Sequence, residues 1–178
     1  NRTLLKVGGA ELEDGPEIEA LADALSRLIA ERQMVVVHGG GPEIARLQER
    51  LGLKPNFIDG LRVTDQESLR VAEMVLSGAV NKRLTARLVT RGAKAIGMSG
   101  IDCGLLRAAK VQHPKGDLGC VGEIVEVQTT PLLELLSLGY TPVISPISLG
   151  ADGRSLNVNA DHAALAIARA LQVQEAIF

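Results

Sequence analysis

Met34-Val35-Val36-Val37-His38-Gly39-Gly40-Gly41-Pro42 is the stretch on which the fold turns. Met34 to Val37 is wholly apolar, with no alternation, as a strand of a parallel sheet covered on both faces has to be. Three glycines break the run after His38, and Pro42 stands where the first helical residue is favoured. Ile44, Leu47 and Leu51 then follow at helical spacing. The same strand, glycine and helix order occurs just upstream. Thr3 to Val7 is a β-rich run closed by Gly8-Gly9, and Pro16 opens a helix whose Ile18, Leu21, Ala22, Leu25, Leu28 and Ile29 share one face as far as about Arg32.

Downstream, Leu53 to Val63 carries Pro55, Asp59-Gly60 and alternating apolar residues, which predicts a hairpin or irregular excursion rather than a crossover helix. Thr64-Asp65-Gln66-Glu67 reads as a capping box. The helix that it opens is expected to reach Gly78, and a second one to run from about Val80 to Val89. Lys94 to Gly97 and Pro142 to Ser145 read as further core strands. Leu105 to Val111 and Val121 to Val127 flank a Pro/Gly-rich turn, as a hairpin added at a sheet edge would. Thr130 to Leu138 and Ala163 to Leu171 are helical, Asp152-Gly153 is a turn, and Glu175 to Phe178 is a final strand. Strands alternating with helices through short connections predict a three-layer αβα sandwich around an open, mainly parallel sheet with an added β-hairpin.

Composition removes several classes of function. The 178 residues are 46% hydrophobic and 22% charged, enough for one body burying roughly 70% of its unfolded surface. Lys and Arg total 19 against 21 Asp and Glu, for a net charge of −2, and aromatics make up only 2%. No nucleic-acid partner is expected from a chain without a basic face or stacking platform. Apolar runs such as Leu132 to Leu138 fall far short of the ~20 residues that cross a bilayer, so no membrane partner is expected. Asn1 to Lys6 has no signal-peptide pattern, and the expected compartment is the cytoplasm. Cys103 and Cys120 are isolated, and His38, His113 and His162 stand far apart, so no metal site of the protein's own is predicted.

In an open α/β sheet, ligands lie beyond the carboxyl ends of the strands, where this chain has Gly8-Gly9, Gly39-Gly40-Gly41, Ser99-Gly100 and Ser145-Pro146. Consecutive N–H groups at a helix start cradle an anion. Neither G-x-x-x-x-G-K-[ST] nor G-x-G-x-x-G occurs. Lys6, two residues before its glycine pair, is either a snorkelling surface lysine or a fixed cation beside a transferred phosphoryl group. Arg62 in Gly60-Leu61-Arg62-Val63-Thr64 is either half of a surface ion pair or a fork for a substrate carboxylate. Asn157, Asn159 and Asp161 can all serve the following helix as caps; Asn159 fits that role best, and Asp161 can also orient lysines or Mg²⁺-bound phosphate.

Lys6-Val7-Gly8-Gly9, His38 to Pro42, Gly60 to Thr64, Asn81-Lys82, Gly139 to Ile144 and Asn157-Val158-Asn159-Ala160-Asp161 together resemble the amino acid kinase family, and within it the members that phosphorylate N-acetyl-L-glutamate. The resemblance implies an ATP-dependent transferase of arginine biosynthesis that converts the side-chain carboxylate of N-acetyl-L-glutamate into an acyl phosphate. It implies Mg²⁺ carried by ATP, and a homodimer or higher homo-oligomer. By position, Lys6 and Asp161 would be catalytic, with Asp161 organising the lysines. Lys6, Gly8 and Gly9 would meet the ATP phosphates, while Gly40, Gly41, Arg62 and Asn157 would hold the acid. The family continues past the Glu175 to Phe178 strand into a half with most of the adenine and ribose site, so residues 1–178 are expected to be the N-terminal, acetylglutamate-binding and dimerisation part. Two other readings stand beside this one. One is a kinase for aminoadipate or glutamate linked to a carrier protein; the other is a catalytically silent acetylglutamate-binding module.

Overall fold

A computed structural model describes residues 2–178. In chain order its elements are β1 (Arg2–Val7), α1 (Pro16–Glu31), β2 (Gln33–His38), α2 (Gly41–Arg50), β3 (Phe57–Ile58) and β4 (Leu61–Arg62). There follow α3 (Gln66–Glu73), α4 (Asn81–Thr90), β5 (Ala95–Ser99), β6 (Leu106–Lys110), β7 (Gly122–Val127) and α5 (Thr130–Ser137). The chain closes with β8 (Thr141–Ser145), β9 (Ile147–Gly150), β10 (Ser155–Asn157), α6 (Ala160–Leu171) and β11 (Glu175–Ile177).

The main sheet runs β11-β1-β2-β8-β5, every pair parallel. Its two faces explain the unbroken apolar run of β2. Val35 and Val37 join Leu4, Ile144 and the apolar faces of α5 and α6 in one core. Met34 and Val36 point the other way, to Val7, Val143 and the buried sides of α1, α3 and α4. Both cores are drawn from strand residues two apart, so neither face of β2 has room for a polar position between Met34 and Val37.

Three local readings are revised. Helix α3 does not stop at Gly78: the chain continues through a π-helical segment, Met74–Val80, straight into α4. Glycine costs about 1 kcal/mol inside a helix, and burial of Val75, Leu76 and Val80 outweighs that. The cap of α3 is Asp65, not Thr64. Its Oδ1 accepts from the Ser68 N–H at 2.7 Å, and that bond holds the carboxyl below its ordinary range. Thr64 has its own backbone groups engaged elsewhere, with Leu118 and Cys120. The β6–β7 hairpin forms as read, but in a separate sheet of order β10-β9-β6-β7 rather than at the edge of the main one. Leu106 and Ala108, two apart on β6, are buried in the α5–α6 core, which draws the small sheet over that layer. Its partner β9 leaves β8 through Pro146, and the Asp152-Gly153 turn folds β10 back along it. Among the described residues no helix is long and apolar enough to cross a membrane.

Candidate functional site

Parallel strands deliver their carboxyl ends to one rim, and the chain uses that rim twice. After β1 and after β2 it turns through glycines, and the two turns touch. The Gly39 N–H donates to Val7 O at 2.9 Å, and a Cβ on Gly9 would lie 2.8 Å from Gly40 Cα. No side chain fits between these backbones, so glycine at position 9 is dictated by close approach. Gly40 is shut in from the opposite side, where a Cβ would meet Leu76 Cδ2 at 2.7 Å. Gly41, the first residue of α2, faces open space. A methyl-free backbone at a helix N-terminus is thus presented to whatever occupies the rim. The start of α2 is anchored by Glu43, whose carboxylate accepts from Arg83 at 2.8 and 3.0 Å; that pair holds the Glu43 carboxyl below its usual range.

Lys6 lies on the face of β1 turned toward α6. Its Nζ is 2.9 Å from Asp161 Oδ1, in the first turn of that helix. Asn159 is the N-cap of α6, its Oδ1 accepting from the N–H groups of Asp161 at 2.8 Å and His162 at 3.2 Å. The cap assignment for Asn159 therefore holds, and it fixes where Asp161 begins. Lys6 is the less exposed member of the pair, its side chain 19% accessible, so the ammonium is a positioned charge rather than a snorkelling one.

Arg62 reaches the same space from β4. One of its terminal N–H groups donates to Gln48 Oε1, and Gln48 is buried on α2. Gln48 was not singled out from the sequence; its signal is a polar residue four after Ile44 on the apolar face of α2. Asn157, the last residue of β10, lines the same cleft. A cleft of about 660 Å³ collects Lys6, Gly9, Gly40, Gly41, Arg62, Asn157 and Asp161. Gly8 is not among its lining residues, and a Cβ there would meet the Glu11 carboxylate. Lys6 and Arg62 bring two cations to the cleft and Asp161 and Glu123 two carboxylates, so an anionic ligand would be met by specific side chains and the glycine backbone rather than by a net positive field. Among the described residues no three His, Cys, Asp or Glu side chains group as a metal site.

Beneath the glycine turn lies a buried polar pair without solvent access. His38 Nδ1 is 3.0 Å from Gly39 O and its Nε2 is 3.0 Å from Asn81 Nδ2, which assigns the neutral ring its proton on Nδ1. Burial pushes the His38 pKa down to about 4. The Asn81 amide also donates to Val143 O at 2.9 Å, and its Oδ1 accepts from Lys82 Nζ at 3.2 Å. Asn81-Lys82 accordingly ties the helix layer to the sheet under the site instead of lining it.

The family model of the amino acid kinase family matches residues 1–178. The chain belongs to the amino acid kinase family. Several relatives of this amino acid kinase chain carry the name acetylglutamate kinase. One from Roseiflexus sp. (strain RS-1) is 51% identical over 98% of this chain and 66% of its own length. Another, from Methanopyrus kandleri, is 46% identical over 98% of this chain and 69% of its own. The chain thus spans about two thirds of the length of these relatives. Among solved structures it is similar to an N-acetylglutamate synthase from Neisseria gonorrhoeae complexed with coenzyme A and N-acetyl-glutamate, with a TM-score of 0.86 and 26% identity over 98% of this chain and 40% of that one. A Streptococcus mutans structure gives 0.83 and 25% identity over 98% and 70%.

Proposed function

We propose that this chain is the acid-binding part of an acetylglutamate kinase, which transfers the γ-phosphoryl group of ATP to the side-chain carboxylate of N-acetyl-L-glutamate in arginine biosynthesis. The observation that carries the reading is the convergence of Lys6, Arg62, Asn157 and Asp161 around one cleft floored by glycine backbone. Relatives that match nearly the whole chain and bear that name supply the substrate.

In this reading a carboxylate oxygen of the acid attacks the γ-phosphorus. The bond from phosphorus to the β,γ-bridging oxygen breaks, and ADP leaves with its electron pair, giving an acyl phosphate. Little covalent chemistry is asked of the protein; placement and charge neutralisation do the work. Lys6, held 2.9 Å from Asp161, places an ammonium beside the equatorial oxygens as their charge changes. The Gly8-Gly9 turn approaches the ATP phosphates, and Mg²⁺ travels with them. Gly40 and Gly41 offer their backbone to the acid, while Arg62 and Asn157 grip its α-carboxylate. The Arg62 fork already has Gln48 as one partner, which limits the planes that the guanidinium adopts. The remaining part of the protein contributes the adenine and ribose contacts, and the working unit is a cytoplasmic homodimer or higher homo-oligomer.

The likeness to a synthase supports a second reading, an acetylglutamate-binding module without kinase activity. Two measurements on the protein separate them. Calorimetric titration with N-acetyl-L-glutamate, against L-glutamate, is expected to show selective binding; its absence refutes both readings. Incubation of the full-length protein with ATP, Mg²⁺, N-acetyl-L-glutamate and hydroxylamine is expected to yield the hydroxamate, and binding without hydroxamate leaves the module.

A further inference from the structure

Arg62 and Asn157 come from distant parts of the chain, yet one short segment holds both of their strands. The Thr64 N–H, two residues beyond Arg62, donates to Leu118 O at 3.0 Å, and the Cys120 N–H donates to Thr64 O at 2.6 Å. The Asn157 N–H donates to Cys120 O at 2.8 Å. Thr64 bridges to Gly119 and Val121 to Asn157, both in parallel register. Gly119 stands at the centre of this connection with φ +73°, and a Cβ there would lie 2.9 Å from the Thr64 carbonyl carbon and closer still to its oxygen. Asp117 secures the segment from its other end, its Oδ1 accepting from the Gly119 N–H at 2.8 Å. Leu118 and Val121 line the cleft, whereas Gly119 borders a separate cavity on the outer side.

We infer that residues 117–120 are a positioning brace: through backbone hydrogen bonds to Thr64 and Asn157 they set the separation between Arg62 and Asn157, and Gly119 is the position on which that separation depends. The inference rests on the proposed roles of Arg62 and Asn157. Gly119 does not touch the acid. It acts by allowing the Thr64 carbonyl to approach a backbone with no side chain in the way, and a β-carbon there forces the Arg62 arm outward. Recognition of a carboxylate by a planar fork tolerates displacements of only about 0.5 Å, so the shift is read out as lost affinity for the acid.

The test uses Gly119→Ala, with Gly92→Ala as its control. Gly92 also holds a positive φ, +86°, but a Cβ there meets nothing within 4 Å. Calorimetric affinity for N-acetyl-L-glutamate is expected to fall by about tenfold or more in Gly119→Ala and to stay within about twofold in Gly92→Ala, remote from the brace. In the full-length enzyme the same change raises KM for the acid while kcat is largely kept. Amide exchange at Thr64 and Asn157 is expected to quicken together in Gly119→Ala. Should that variant not fold, Asp117→Ala removes the acceptor of the Gly119 N–H together with the Lys110–Asp117 ion pair and is expected to weaken binding by about threefold or more, whereas Lys110→Ala, which removes the ion pair alone, is expected to stay within about twofold. Wild-type binding with unchanged affinity in the Gly119 variant, or in the Asp117 variant where that one stands in, overturns the brace alone. An equal loss in Gly92→Ala overturns it too, and a wild-type protein that does not bind the acid overturns the parent reading and the brace with it.

Discussion

Lowering the pH from 7 to 5 should destabilise this protein through a single buried imidazole. His38 is fully buried under the glycine turn, donating to Gly39 O and accepting from Asn81, and burial lowers its pKa from 6.5 to about 4. Because the folded-state value is depressed, the unfolded chain takes up the proton first as the pH falls. Stability is complete above about pH 6.5 and declines from there toward pH 4. With those two values the loss between pH 7 and pH 5 comes to about 2 kcal/mol, rising toward ~3 kcal/mol at pH 4. The carboxylates of Glu43, Asp65 and Asp117 have lowered pKa values and add their own loss below about pH 4.5, so pH 5 to 7 isolates the histidine. Urea denaturation across that window, with the slope m checked for constancy, measures the effect. His38→Gln, which keeps hydrogen-bonding groups but does not titrate there, is expected to flatten the dependence even if it lowers stability at pH 7. A wild-type protein of constant stability, or a variant with the wild-type slope, would falsify the assignment of a neutral, buried His38.

Arg62→Ala should weaken N-acetyl-L-glutamate binding by ~2–5 kcal/mol, the cost of removing one partner of a buried charge pair; unchanged affinity in calorimetry would take Arg62 out of the site. Lys6→Ala in the full-length enzyme should lower kcat far more than it raises KM, and steady-state kinetics with an effect confined to KM would reassign Lys6 to ground-state binding. Gly9→Ala drives a β-carbon to 2.8 Å from Gly40 Cα, an overpacking worth about 1–3 kcal/mol, so Tm should fall by roughly 2–12 °C. Gly41→Ala meets nothing within 4 Å and should leave Tm unlowered while weakening binding of the acid, an outcome that differential scanning calorimetry and titration check separately.

Much of the architecture could be read from one dimension because its causes are local. The apolar run Met34 to Val37, the prolines at Pro16 and Pro42, the Asp59-Gly60 turn and the Asn159 cap each act over a few residues, and each appears where its local chemistry puts it. Lys6, Gly40, Gly41, Arg62, Asn157 and Asp161 could be named as candidates for the same reason, since cations, glycines and caps at strand ends are visible in the sequence and the family resemblance supplies their pairing. The helix through Gly78 was not legible: a glycine and a cap signal compete locally, and the buried contacts of Val75, Leu76 and Val80 that decide the matter belong to other elements. Thr64 looked like a cap because its spacing to Glu67 is right, yet its backbone is claimed by Leu118 and Cys120. The Pro/Gly-rich stretch before β7 read as a turn, and nothing within it shows that Thr64 and Asn157 close on it from both sides.

The sequence by itself determined a parallel sheet between helix layers, with glycine turns at its rim and one lysine and one arginine near them. Only the tertiary structure decided that Lys6 faces Asp161, that Gln48 holds Arg62, that His38 is buried neutral beneath the turn, and that the Gly119 backbone lies against the Thr64 carbonyl. Periodicity and propensity report on neighbours a few residues away. Distances between walls depend on backbone hydrogen bonds between segments tens of residues apart, and those exist only once the layers have packed.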